Sequence, residues 1–319
     1  MDIVNGKHDG FFKALMEQPG TAGALLRERL PKAVADALGP GEPELIEGTF
    51  IDEELRESRS DRLYRMELKA GGSAYVFCLV EHKSAPDARI GWQLLRYMVR
   101  VWDRVDRENG GRGKLPPVIP LVVYHGAEKW TAPRRFSGMV AAGPEMAAQL
   151  LDFPFKVVDV GRVENVQLSR ERTLRFGLIV MKYATLVTQE NCVEVTQVAL
   201  EAGKGVEGEF FWTGVGYMIR TYEPLDLPTL SRVLKRVMPE KEKDMLSIAA
   251  REWIAQGKAE GRAEGEAKAL VRVLERRFGR VPARYLQAIA AAQNGQLDAW
   301  LDRAVDAPTL KAVFGQTAH

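Results

Sequence analysis

The sequence is poor in cysteine, with two among 319 residues. Two cysteines cannot form the disulfide framework that small secreted domains use, so we expect a reducing, cytoplasmic compartment. Cys78 lies inside an apolar run, which favours a small buried side chain over a reactive thiol. Cysteine and histidine pairs with the spacing of a zinc site are also missing, which argues against a zinc protein.

Long apolar runs and an excess of one charge are missing as well. No stretch approaches the roughly 20 apolar residues that a membrane span needs, so we expect no membrane partner. The first ten residues lack the apolar core of a signal peptide. The formal net charge is +2, which gives no global basic signature. An anionic partner would therefore have to be recognised by a local patch.

The apolar residues that are present predict an α/β fold. The Gly71-Gly72 pair marks a hairpin between two strands, and the second of these is apolar on both faces, as in a central strand. A helical crossover then allows the next buried strand to run parallel to it. The result is a mixed sheet flanked by helices. Its predicted elements are helices within 11–30, strands at 45–51, 62–68 and 75–80, a helix at 90–101 and a strand at 118–124.

Four regions follow from the pattern along the chain. Glycines every four residues among charged side chains predict a polar linker helix that is only marginally stable. The last stretch has helical apolar spacing, which favours a small module of packed helices. The predicted regions are a core at 1–135, a mostly helical accessory region of the same domain at 136–240, the linker helix at 241–268 and a helical domain at 269–319.

The central strand ends abruptly in Glu81-His82-Lys83, and the lone acid Asp61 precedes the hairpin. If Gly71-Gly72 is a two-residue turn, Asp61 faces His82, and a loop one residue longer or shorter moves it opposite Glu81 or Lys83. In each of these registers Asp61 lies level with the end of the central strand. Glu81 and Lys83 share a face because side chains alternate along a strand.

Two carboxylates and an amine at one sheet end have a chemical use. Carboxylate oxygens can hold a Mg²⁺ ion that keeps several waters and accepts phosphate oxygens. The metal makes a bound water more acidic, and a lysine can orient or deprotonate that water or stabilise developing charge. The alternative is an ordinary ion pair at a strand end, which contributes about 0–1 kcal/mol when exposed. Spacing alone favours this alternative.

Five segments in order resemble one bacterial family. They are "HDGFFKAL", "SRSDRLYR", "AYVFCLVEHKS", "WQLLRYM" and "PPVIPLVVYHG". Together they resemble the recombination-promoting nucleases, also called YhgA-like transposases, a branch of the PD-(D/E)XK nuclease superfamily. The resemblance is good over residues 7–135 and weaker to about 240. It implies a restriction-endonuclease-like fold, and the C-terminal segment resembles the helical tail domain often attached to such nucleases.

The resemblance also implies roles for individual residues. Asp61 matches the metal-binding aspartate of this superfamily, and Glu81 and Lys83 match its acid and lysine. The family often has glutamine where Lys83 stands, so the lysine restores the superfamily pattern. Gln93 and Tyr97 lie four apart on one helix face and resemble the Gln-x3-Tyr signature of RecB-like nucleases, where this helix borders the active site. The alternative is that these two side chains form a polar border beside the buried face of the helix.

Three further residues have weaker signals. Asp9 matches the opening of the family and is a candidate additional acid, although a helix cap is the favoured interpretation. His82 points away from the face of Glu81 and is interpreted as structural. His125 follows a buried strand and is a candidate substrate contact, although a histidine with its hydrogen bonds satisfied in a loop is favoured.

Arginines cluster around the first acid and along the following helix. They are candidates for phosphate contacts, which position a duplex without reading its sequence. Acidic neighbours dilute the clusters, so a general solvated surface is the alternative. Neither a helix-turn-helix nor a zinc finger is present for base readout, so the expected partner is duplex DNA with weak sequence preference. The strongest candidates are Arg59, Arg62, Arg96 and Arg100.

The leading hypothesis is a metal-dependent DNA endonuclease that promotes recombination or is linked to mobile elements or defence. Its cofactor would be Mg²⁺ or another divalent cation such as Mn²⁺ or Ca²⁺. One alternative is a DNA-binding or regulatory protein that keeps the fold without catalysis. Another is a homo-oligomeric interaction protein that assembles through its C-terminal segment. A strand-transferring transposase is less favoured, because the sequence shows no suitably spaced triad of acids.

Overall fold

The computed structural model of the chain forms two compact units, Met1–Glu242 and Lys243–His319, and each is described by itself. The structure describes residues 2–46, 62–81, 86–241, 267, 270–271, 273–275, 277–279, 281–290, 292 and 294–314.

A five-stranded mixed sheet lies at the centre of the first unit, in the order β1-β2-β3-β4-β5. The pairs β1–β2 and β2–β3 are antiparallel, whereas β3, β4 and β5 run parallel to one another. This arrangement confirms the predicted mixed sheet and is consistent with a restriction-endonuclease-like core. The strands are β1 Glu44–Leu45, β2 Arg62–Glu67, β3 Ser73–Glu81, β4 Val118–Tyr124 and β5 Lys156–Asp159.

Helices flank this sheet, as predicted. None of the helices in the described ranges combines the length and the apolar character that crossing a bilayer requires. The first unit contains α1 Asp2–Met16, α2 Thr21–Arg29, α3 Lys32–Ala37, α4 Ile90–Glu108, α5 Arg172–Ala184, α6 Cys192–Ala202, α7 Gly208–Thr221 and α8 Leu227–Val237. The second unit contains α9 Ala283–Ala290, α10 Asn294–Asp306 and α11 Leu310–Phe314, which pack around an aromatic core that includes Trp300.

The strand β3 is buried on both faces, so helices must cover each side of it. Its odd-numbered residues, such as Phe77 and Leu79, belong to the core cluster that contains the apolar face of α4. Its even-numbered residues face the side on which Arg62 of β2 forms an ion pair with Glu17, just after α1. Because side chains alternate along a strand, each residue of β3 is assigned to the α4 face or to the α1 face.

The helix α4 runs along the strand direction, from the end of the sheet where the parallel strands finish to the end where they begin. In its middle, the Tyr97 ring stacks on Phe77 with the centroids 4.2 Å apart. Near its end, the Trp102 indole donates a hydrogen bond of 2.8 Å to the carbonyl of Pro116, just before β4 begins. The first turn of α4 therefore lies at the edge where the parallel strands end, called here the carboxyl edge.

The predicted register of the β2–β3 hairpin is wrong by three residues. A two-residue turn would pair Arg62 with Glu81, but Arg62 pairs with Cys78. Residues 68–72 form a longer loop in which the Leu68 amide donates to the Gly72 carbonyl at 3.0 Å. Gly71 and Gly72 have φ values of 89° and 79°, which glycine adopts at little cost, so they form the second half of this loop rather than its whole. Glu81 therefore extends three residues, about 10 Å, beyond the level of Arg62.

The strand β5 was not predicted, because the region after residue 136 was interpreted as mostly helical. It contains four residues and pairs in parallel with the end of β4. A strand this short is difficult to recognise from alternation, and only its pairing with a long buried strand stabilises it. The accessory region therefore contributes directly to the sheet.

Candidate active site at the carboxyl edge

Glu81 is the last residue of β3, and its side chain is 6% exposed. By alternation it shares the α4 face with Phe77 and Leu79. Its register partner on β4 is Tyr124, and its carbonyl accepts a hydrogen bond of 3.2 Å from the His125 amide. A carboxylate is costly to bury unless it is paired or coordinates a metal, so a buried acid at this strand end is a candidate metal ligand.

Tyr124 and Asp159 continue the row that Glu81 begins. The three residues are in register across β3, β4 and β5. Asp159 accepts a 3.0 Å hydrogen bond from the Trp130 amide, and the Tyr124 hydroxyl donates to the Glu128 carbonyl at 2.9 Å. Burial first, and then the charges of Asp159, Glu128 and Glu81, raise the pKa of Tyr124 to about 12. The α4 face of the carboxyl edge is therefore acidic, with a tyrosine that stays protonated at neutral pH.

A second polar cluster lies on the α1 face of the same edge. His125 follows Tyr124 directly and is fully buried, and its ring centroid is 4.9 Å from that of His8 on α1. The Nδ1 atom of His8 lies 2.5 Å from the hydroxyl of Tyr217 on α7. The cluster therefore joins the end of β4 to two helices that are far apart in sequence. His125 lies just outside β4 and is a buried contact between elements. Its candidate role as a substrate contact stays a prediction.

Asp9 is not a helix cap, so that prediction is wrong. It lies inside α1, which begins at Asp2, and its side chain is 7% exposed. The sequence hid this helix start because Asn5, Gly6 and Gly10 are poor helix formers that tertiary packing has overridden. Among the residues that the structure describes, Asp9 and Glu81 are the buried acids. The minor interpretation of Asp9, as an acid near the site, fits its position beside His8.

Several predicted site residues lie outside the described ranges. These are Asp61, His82, Lys83 and Arg59. The convergence of Asp61 and Lys83 with Glu81 therefore stays a prediction. The corrected register applies only up to Arg62, the first described residue of β2.

The Gln93 and Tyr97 pair occupies α4 as expected from its spacing. Tyr97 is buried in the core between α4 and the sheet, where it stacks on Phe77. Gln93 is partly buried one turn closer to the carboxyl edge, on the face that Tyr97 also occupies. Of the two, Gln93 is the side chain closer to the level of Glu81, and the proposed catalytic role of the pair stays a prediction.

The predicted phosphate contacts differ in how accessible they are. Arg62 is 13% exposed in its side chain and lies 3.7 Å from Glu17, so it would have to leave that carboxylate to bind a phosphate. Arg65 pairs with Glu44 at 2.6 Å, and Arg104 pairs with Glu108 at 2.6 Å. Arg96 and Arg100 are partly buried on α4.

The donor chemistry of the carboxyl edge fits a divalent cation that prefers oxygen ligands. Glu81 supplies a buried carboxylate there, and Asp61 is the second predicted donor. Within the described ranges, His, Cys, Asp and Glu side chains form no group of three that could hold a metal. A complete site therefore depends on Asp61.

Comparisons with known proteins support the resemblance. The family profile described as "Putative transposase, YhgA-like" matches residues 6–207. The chain is 26% identical to "Recombination-promoting nuclease RpnA" of Escherichia coli (strain K12) over 251 residues, which is 76% of this chain and 82% of that protein. It is 29% identical to "Recombination-promoting nuclease RpnD" of Escherichia coli O157:H7 over 55% of this chain and 67% of that protein.

A third relative has a different name. The "Inactive recombination-promoting nuclease-like protein RpnE" of Escherichia coli (strain K12) is 28% identical over 56% of this chain and 59% of that protein. No solved structure matches the chain.

Proposed function

Because the chain belongs to the YhgA-like transposase family, we propose that it is a metal-dependent endonuclease that hydrolyses phosphodiester bonds in DNA. The single observation that carries the proposal is the buried carboxylate of Glu81 at the end of the central strand. Two relatives named recombination-promoting nucleases support the reaction class. Hydrolysis of DNA would promote recombination by producing broken ends.

Each residue of the proposed centre has a distinct task. Glu81 and Asp61 hold the divalent cation, and Lys83 orients or deprotonates the attacking water. When bound, the cation supplies positive charge at the scissile phosphate and makes a nearby water more acidic. Tyr124 beside Glu81 is neutral at physiological pH, as an ordinary tyrosine is, and its pKa of about 12 keeps it neutral further into the alkaline range. It therefore adds no negative charge against the incoming phosphate.

A plasmid-nicking assay with carboxylate-to-amide variants tests this proposal. Supercoiled plasmid incubated with the protein and Mg²⁺ should be nicked, and chelation should stop the reaction. Glu81→Gln and Asp61→Asn should each lose nicking, because the amide oxygen is a weaker ligand and carries no charge. Glu194→Gln on α6 and Asp103→Asn on α4 are matched controls at exposed positions and should keep full activity. Nicking that survives unchanged in both site variants would reject the assignment.

The name of the relative RpnE favours a second candidate function. The chain would then be a DNA-binding or regulatory protein that keeps the nuclease fold without cleaving. This candidate predicts salt-sensitive DNA binding together with an absence of cleavage in Mg²⁺, Mn²⁺ and Ca²⁺. Cleavage that needs Glu81 would exclude it.

A further inference from the structure

An open groove lies between the first turn of α4 and the segment that follows β4. Its volume is about 480 Å³, within the range of small-ligand sites. One wall is the start of α4, and the other is formed around the short 3-10 helix Phe136–Met139. The lining residues are Ala88, Arg89, Trp92, Pro133, Phe136, Gly138, Met139 and Val140.

Packing between the two walls holds the groove in place. A Cβ atom at Gly91 would lie 2.6 Å from the sulfur of Met139, so glycine allows the two segments to approach closely. Phe136 is buried and stacks on Phe153 with the centroids 5.4 Å apart. The groove is therefore a feature of two packed segments rather than of a loop tip.

Trp92 leaves its indole available in this groove. Its neighbours Ile90 and Leu94 are buried against the sheet, whereas Trp92 is 45% exposed. Indole faces are effective platforms for stacking flat rings, and Trp92 is the half-exposed aromatic side chain in the groove lining.

Arg89 lines the groove, and two further arginines lie close to its lining residues along the chain. Arg89 and Arg96 lie three residues before and four residues after Trp92, hence one turn to either side on α4. Arg134 is exposed near the opposite wall, beside the lining residue Pro133. None of these three arginines forms an ion pair with another described residue. Arg89 and Arg134 are exposed near the two walls, and this positive charge suits an anionic partner better than an apolar helix from a protein.

The groove lies on the same edge of the sheet as Glu81. The helix α4 runs from the carboxyl edge, where Arg89 and Trp92 lie, to the level of Pro116. Seven residues separate Glu81 from Arg89 along the chain. A DNA strand would have to cross only this end of the sheet to meet both Glu81 and the groove.

We propose that this groove binds an unpaired nucleotide of a DNA strand, whose base stacks on Trp92 while flanking phosphates contact Arg89, Arg96 and Arg134. Stacking on an aromatic ring beside basic side chains is how proteins hold single strands without reading their sequence. The inference rests on the proposed nuclease function. It predicts that the DNA substrate has unpaired nucleotides near the scissile bond, as in a flap, a gap or a frayed end.

Binding measured without cleavage tests the inference. A labelled oligothymidine and a duplex of mixed sequence are titrated with the full chain in chelator, and fluorescence anisotropy is recorded. Trp92→Ala should weaken binding of the single strand by about 10-fold or more, with a much smaller effect on the duplex. Trp92→Phe should restore most of the affinity. Val99→Ala is the matched control, since Val99 is 43% exposed on the same helix and lies outside the groove.

The outcomes separate this inference from the proposed reaction. Equal single-strand affinity of Trp92→Ala and the unaltered chain would overturn the groove assignment, whether or not the protein cleaves DNA. Equal loss for single strand and duplex would overturn it as well, because a base inside a duplex cannot stack on Trp92. Selective loss of single-strand binding in a chain that never nicks plasmid would keep the groove and reject the nuclease proposal. A thermal melt checks that each variant is folded.

Discussion

The two faces of the carboxyl edge carry opposite kinds of polar chemistry. On the α4 face, Glu81 and Asp159 flank Tyr124, and burial, followed by these negative charges, raises the pKa of the tyrosine. On the α1 face, His8 and His125 form a buried pair, and Asp9 follows His8 on the helix. One face therefore carries two carboxylates around a tyrosine, whereas the other carries two buried histidines and a helix with one buried acid.

This difference suggests that the two faces have different functions, one in metal binding and the other in stabilising the fold. A concentration of negative charge is unfavourable in a folded protein unless a cation offsets it, so the α4 face is the better candidate for binding a metal. The α1 face connects α1, β4 and α7 through the His8–Tyr217 hydrogen bond and the ring contact between His8 and His125. That face is suited to fixing the helices around the site. We therefore propose Glu81 as a chemical group and His8 and Tyr217 as structural ones.

The largest expected effect is a difference between the two buried acids. We expect Glu81→Gln to lower the nicking rate at least about 100-fold, because replacing even the outer partners of metal ligands costs 10- to 100-fold. Asp9→Asn should lower it by about 10-fold or less, since Asp9 is assigned to the α1 face. The nicking rate at saturating Mg²⁺ and the affinity for Mn²⁺ from calorimetry provide the measurements.

The distinction between the two faces is wrong if Glu81→Gln and Asp9→Asn have the same effect on Mn²⁺ affinity. A loss of Mn²⁺ affinity in Asp9→Asn that equals the loss in Glu81→Gln would move Asp9 into the metal site. The faces would then form one centre. Asp36→Asn is a control at an exposed aspartate on α3 and should leave both quantities unchanged.

An intermediate effect is expected on the stability of the α1 face. Tyr217→Phe removes the hydroxyl that lies 2.5 Å from His8 and leaves a buried imidazole nitrogen without that partner. This change should lower the free energy of unfolding by about 1–3 kcal/mol. In a unit of this size, the melting temperature should fall by about 2–4 °C for each kcal/mol. Differential scanning calorimetry provides the measurement.

Activity gives this variant a second readout. If Tyr217 only fixes the helices, the nicking rate of Tyr217→Phe at a temperature well below its melting point should stay within about two-fold of the unaltered chain. Tyr75→Phe on β3 is the control, since the Tyr75 side chain is only partly buried and its hydroxyl contacts no described residue. A large loss of rate with an unchanged melting temperature would instead place the His8–Tyr217 pair in the reaction.

Local patterns in the sequence predicted the centre of the fold. Apolar runs and helical spacing identified β3, β4 and α4, because strongly buried elements have strong periodicity. The family resemblance, carried by the same segments, is confirmed. The strand end at Glu81 was also predicted, since an acid directly after a long apolar run is visible without any tertiary information.

What the sequence did not predict depends on distant contacts. The hairpin register failed because Gly71-Gly72 was assumed to be the whole loop, and a loop longer by three residues shifts every pair. The row that ends in Asp159 needs β5, a strand that exists only through pairing with β4. The hydrogen bond between His8 and Tyr217 joins residues 209 positions apart, and neither residue has a local pattern that points to the other.

The smallest expected effect concerns the charge of the α4 face. Asp159 is the carboxylate that contributes most to the raised pKa of Tyr124, after burial, so Asp159→Asn should lower that pKa from about 12 towards 10. The tyrosine stabilises the fold below pH 10, and this contribution is lost as the pH rises to 12, because the unfolded chain ionises first. In Asp159→Asn the loss should be complete at a lower pH. Ultraviolet difference titration against Tyr124→Phe isolates this hydroxyl from the other buried tyrosines. If the Tyr124 hydroxyl titrates at the same pH in Asp159→Asn, burial alone raises its pKa. The negative charge on the α4 face would then no longer distinguish that face from the α1 face.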